Sequence, residues 1–129
     1  MLEHYTVETA QSVDEAIKVL DRNLKEAGFG ILWQMDIPSK LQEKGVNSYT
    51  NPYRILEVCN PREAARVLNH NELAGYFLPC KITVYKSGEV TKIGLIKPSA
   101  FMRMLDDPEL TATAQEIEAV LIQVLDQSK

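Results

Sequence analysis

The chain has 129 residues and a net charge of −4, with its positive residues scattered along it. That spread argues against nucleic-acid binding, which needs a concentrated basic face to neutralise phosphates. No apolar run is long enough to span a bilayer, and the first residues lack the charged start and apolar core of a signal peptide.

These features set the expectation of a cytoplasmic protein built as a single domain over residues 1–129, large enough to bury roughly two-thirds of its unfolded surface. Two cysteines lie 21 positions apart, which is no disulfide framework, so both thiols are expected to be reduced. There is no internal repeat and no low-complexity segment.

Leu2 to Val7 alternates polar and apolar residues and reads as a first strand. Ser12 and Glu15 have the spacing of a capping box. Val13, Ala16, Ile17, Leu20, Leu24 and Ala27 then recur at helical intervals, and Gly28 is a natural stop. Gly30 to Ile37 reads as a second strand, with Ile31, Trp33, Met35 and Ile37 on one face and Leu32, Gln34 and Asp36 on the other. Pro38 to Lys44 predicts a short helix ending at Gly45, and Val46 to Pro52 a polar, mobile loop.

Tyr53 to Cys59 has the β-branched and apolar content of a third strand. Asn60 is a good N-cap, because its side-chain oxygen can accept from an orphaned backbone N–H. Pro61 falls at the first helical position, where its missing N–H costs nothing. Glu63 is spaced to reach back to the Asn60 N–H. The helix runs through Ala64, Ala65, Val67 and Leu68 and should stop near Asn69-His70-Asn71.

Cys80 to Lys86 reads as a fourth strand with Cys80, Ile82 and Val84 on one face, and Ser87-Gly88 signals a tight hairpin. Glu89 to Ile96 returns with Thr91, Ile93 and Leu95 on one side. Lys97-Pro98 ends it, and a short helical segment follows from Ser99 to Leu105. The last helix stacks Leu110, Ala114, Ile117, Leu121 and Val124 on a stripe widened by Val120 and Leu125. That width suits packing on a sheet.

The order is β-α-β-β-α-β-β-α. The hairpin requires antiparallel pairing, so the fold class is α+β: a two-layer sandwich of a mostly antiparallel five-stranded sheet with helices on one face. The other face lacks a helical cover, and either the Trp33/Met35 row or the Ile82/Val84 row lies there. An uncovered apolar face is normally buried by a partner chain or forms a ligand groove, so a homodimer or a small-molecule site is expected.

Cys59-Asn60-Pro61 followed by Ala64, and Leu78-Pro79-Cys80 at the head of a strand, resemble the domain-of-unknown-function 302 family. Tyr5-Thr6-Val7, Gly28-Phe29-Gly30 and the Lys40, Leu41, Lys44-Gly45 passage add to the resemblance, which covers nearly the whole chain. It implies a compact α+β fold and homodimers, and it brings no established activity or catalytic roles.

The candidate chemistry gathers at Cys59 and Cys80. With His4 or His70 they would make a partial zinc or copper site, although the spacing is not that of a Cys-x-x-Cys knuckle. Alternatively Cys59, at a helix N-terminus, is a reactive thiol with Cys80 as its resolving partner. Against these stands the plainer reading of two small buried hydrophobes, which the sequence favours.

Glu57 shares a strand face with Cys59 and is read either as a general base or, preferably, as a half-exposed partner of Lys81. Lys40 and Lys44 could steer an anion towards a groove, though surface lysines on a short helix rarely do. His4 and His70 have no ligand spacing to each other. Glycine-rich phosphate loops, Gly-x-Ser-x-Gly, His-Glu-x-x-His and EF-hand signatures are absent. The sequence therefore points to a non-enzymatic binding or interaction module, with a thiol enzyme, redox protein or soft-metal binder as the alternative.

Overall fold

A computed structural model describes residues 3–129. Five strands, β1 (His4–Thr9), β2 (Gly30–Asp36), β3 (Tyr53–Cys59), β4 (Cys80–Ser87) and β5 (Val90–Ile96), form one sheet in the spatial order β1-β5-β4-β3-β2. Every neighbouring pair is antiparallel. The helices are α1 (Val13–Glu26), α2 (Ile37–Glu43), α3 (Pro61–His70), α4 (Pro98–Met102) and α5 (Pro108–Ser128). The fold is thus the expected α+β arrangement, with strands and main helices in the expected order.

Local chemistry explains most element boundaries. The Ser12 hydroxyl accepts from the Glu15 N–H at 3.1 Å while the Glu15 carboxylate accepts from the Ser12 N–H at 3.0 Å. This reciprocal box leaves fewer orphan donors at the start of α1. Gly28 closes that helix at φ +89°, a conformation that side chains with a Cβ rarely adopt. Asp36 and Asp107 cap α2 and α5 by accepting from Ser39 and Leu110.

The main core lies between one sheet face and the pair α1 and α5. Leu20 and Leu24 from α1, Leu56 and Val58 from β3, Ile82 and Val84 from β4, Ile93 from β5, and Leu121 and Leu125 from α5 are all buried there. Removing this apolar surface from water is the dominant stabilising term. A second, smaller core joins Val67 of α3, Ala74, Met102 of α4, and Leu110 and Ala114 of α5 at one end of the sheet.

Several expectations need correction. The first strand runs from His4 to Thr9, and Leu2 lies outside the described residues. A bulge between Ile31 and Trp33 breaks the alternation of β2, so Ile31 pairs with Val58 and packs on the core while Trp33 pairs with Glu57 on the other face. An inserted residue shifts the parity of everything beyond it. Ile37 opens α2 instead of ending β2.

The Ile82/Val84 row is fully buried under the helices, so of the two rows considered only Trp33/Met35 lies on the uncovered face. Val120 is exposed and does not widen the α5 stripe. Ser87 pairs with Val90, so Gly88 and Glu89 form the hairpin turn. A 3₁₀ turn at Glu72–Phe77 precedes β4 and has no counterpart in the sequence reading.

Candidate functional site

The uncovered face is built by the strand positions that alternate with the core rows. The register places Thr6 beside Gly94, Gly94 beside Thr83, Thr83 beside Ile55 and Ile55 beside Met35. A second rung joins Lys92, Tyr85 and Tyr53. Tyr53 and Tyr85 stack with ring centroids 4.8 Å apart and an interplanar angle of 17°.

The opposite end of this face is walled by two segments outside the sheet. Phe77 ends the 3₁₀ turn that leads into β4, and Phe101 lies in α4, directly after β5. Their rings stack at 4.9 Å, giving the wall a rigid aromatic surface. Between this wall and the tyrosines is a groove of about 510 Å³. Gly94 forms part of its floor, where a Cβ would meet Thr6 Oγ1 at 2.7 Å. Thr6 Oγ1 also lies 3.1 Å from His4 Nδ1. The lining is mainly apolar and aromatic, with Lys81, His4, Thr6, Thr83 and the phenols of Tyr53 and Tyr85 as its polar side chains.

The two cysteines stand at the same end of the sheet, one closing β3 and the other opening β4, and both are free thiols. Register pairs Cys80 with Val58, so Cys80 has the parity of the core row and Cys59 that of the open face. Burial pushes the Cys80 thiol up to about 11, and nearby Cys59 adds to the shift. A thiol held in that state is a poor nucleophile and a poor resolving partner at neutral pH. Cys80 also lines the groove, and both cysteines border a cavity of about 30 Å³ under α3, which has room for water and not for a substrate.

The expected cap at α3 is present. Asn60 Oδ1 accepts from the Arg62 and Glu63 N–H groups at 3.1 and 3.3 Å, and Pro61 occupies the first turn. The Glu63 carboxylate instead accepts from Arg66 at 3.3 Å, so the reciprocal half of the box is not made. With the amides taken by Asn60, little is left at this helix end to stabilise a Cys59 thiolate.

Glu57 is half-buried and lies directly across from Lys81 in the register, but the two make no ion pair and Glu57 does not line the groove. Lys40 lies away from the groove and pairs with Glu43 at 3.2 Å, so it is no member of this site. His70 Nε2 is 3.0 Å from Asp107 Oδ2 and ties α3 to the start of α5. The hydrogen bond to Asp107 holds the imidazole pKa above its ordinary value, and Asp107 is correspondingly lowered by its bonds to the Leu110 N–H and to His70. Among the described residues, no cluster of three or more His, Cys, Asp or Glu side chains is arranged to hold a metal ion. No helix among them is long and apolar enough to cross a membrane.

The groove residues Tyr53, Tyr85, Thr83, Phe77, Phe101 and Ile96 were not singled out by the sequence reading. Their signal was present in part: the β4 and β5 positions left over once the Ile82/Val84 and Ile93/Leu95 rows are assigned to the core are Lys81, Thr83 and Tyr85, and Lys92, Gly94 and Ile96.

Comparison with known proteins is consistent with this architecture. The family described as "Domain of unknown function DUF302" matches residues 5–128. The crystal structure of an uncharacterized conserved DUF302 protein from Bacillus stearothermophilus is 49% identical, superposes with a TM-score of 0.97, and is matched over 100% of each chain. No curated protein matches this chain.

Proposed function

Because the chain belongs to the DUF302 family, whose description names no activity, we propose from its geometry that it is a homodimeric, cytoplasmic module that binds a small molecule in the groove of the open sheet face. The observation that carries this reading is the groove itself. A concave, largely apolar site of about 510 Å³ with a few polar points falls in the size and composition range of small-ligand sites. Stacked aromatic pairs at both ends make it a preformed shape, which lowers the ordering cost of binding.

The dimer reading rests on the β2 edge, where Leu32 is 63% and Trp33 46% exposed on a strand with a single charged residue, Asp36. Apolar edges of this kind are normally covered. The cytoplasmic reading rests on two cysteines that are free.

A native mass spectrum of freshly purified protein tests both parts. Twice the chain mass plus an added component, lost in a groove-filling Thr83→Trp variant, is the expected result. A bare monomer that takes up no apolar probe overturns the reading.

A further inference from the structure

We propose that the groove selects an amphipathic monocarboxylate: an apolar body carrying one anionic group, with Lys81 as its counter-ion. This rests on the small-ligand reading above and names the chemical class of the ligand. The chain as a whole has 18 acidic residues against 14 basic ones, yet no Asp or Glu lines the groove. Its lining carries Lys81 and His4, so the local charge opposes that of the protein. Such a reversal in a partly enclosed site attracts an anion.

Lys81 faces Glu57 across the β3–β4 register, but among the described residues no carboxylate lies within 4 Å of its ammonium. The ammonium is therefore available as a partner. Thr83 follows it on the same face of β4, and Thr6 stands two strands away across Gly94, so their hydroxyls supply further donors along the groove floor.

The rest of the lining fixes the remainder of the ligand. Ile55, Ile96 and the stacked Phe77 and Phe101 offer an apolar surface with no hydrogen-bonding side-chain group. A cationic ligand would meet Lys81 with like charge. A wholly neutral apolar ligand would desolvate Lys81 and the threonines without pairing them. A dianion would find one ammonium and one imidazole. A single carboxylate on an apolar chain pairs the ammonium by a charge-assisted hydrogen bond and places its chain on the aromatic wall.

Isothermal titration of the full chain with decanoate and with decanol decides the matter. Decanoate should bind at least about tenfold more tightly than decanol. Lys81→Met should remove most of that difference by weakening decanoate binding, with decanol binding equal or slightly stronger because no ammonium is desolvated, whereas Glu57→Gln should strengthen decanoate binding by removing a competing charge. Equal binding of the two probes to the unmodified protein overturns the carboxylate inference and leaves the groove reading intact. Binding of neither overturns both. The comparison of probes on the unmodified protein stands even if a variant fails to fold.

Discussion

The two faces of the sheet are made by the same strands and have opposite characters. On the covered face Leu56, Val58, Ile82, Val84 and Ile93 are all fully buried, and α1 and α5 complete the core. One position along in each strand, Ile55, Thr83 and Gly94 floor a groove that is open to solvent. A period-two backbone writes two independent messages into one stretch of sequence, one for stability and one for recognition.

The strongest way to break this contrast is to truncate adjacent residues of β4. Ile82→Ala should cost roughly 2–5 kcal/mol, because the closely packed core cannot fill the space. Thr83→Ala, its neighbour on the open face, should change stability by no more than about 0.5 kcal/mol. Urea denaturation of both variants checks this, and equal losses would mean that the open face is part of the folding core.

Asn60→Ala should cost about 1 kcal/mol through loss of the α3 cap, measured in the same way. A change within about 0.3 kcal/mol would show that the Arg62 and Glu63 amides find other acceptors.

The cysteines sharpen the contrast at single-residue scale. Cys80, partly exposed at the groove but with a thiol raised to about 11, should alkylate slowly at neutral pH. Cys59, half-buried like Cys80 but of the other parity, should be modified first. Peptide mapping after timed labelling distinguishes the sites, and faster labelling of Cys80 would contradict its placement.

The smallest effect concerns neither sheet face but the α3–α5 tie. His70 has a folded-state pKa above its ordinary 6.5, so it contributes stability that is fully present below that pH and is lost as pH rises through the folded value. Asp107 acts in the opposite sense, contributing above its ordinary 3.8 and losing that contribution as pH falls through its lowered value. A His70→Gln variant should therefore differ most from the parent at mildly acidic pH and converge with it in alkaline buffer. Thermal melts across that range provide the measurement.

Much of the fold was legible because its signals are local. The Ser12 and Asn60 caps, the Gly28 stop, the hairpin and the alternation in β4 and β5 each depend on residues a few positions apart. The strand order was not legible, because β1 pairs with β5, far along the chain. Nor was the choice of covered face, since alternation separates two rows without saying which the helices meet. The bulge at Leu32 is one residue long and leaves no compositional mark. The site was least legible of all. Its wall joins Phe77 and Phe101, from two segments that are distant in sequence and brought together only by tertiary packing.

That bulge also bears on how the proposed dimer would grow. A flat strand edge bearing Leu32 and Trp33 would template one chain after another, as in cross-β fibres. The irregular register between Ile31 and Trp33 interrupts the row of backbone donors and acceptors that such growth requires. Two copies meeting there about a twofold axis would use up both β2 edges at once. The outermost strand on each side would then be β1, whose Glu8 and His4 are exposed to water. In the proposed dimer, association through this edge would therefore close at two copies and would not continue into a filament.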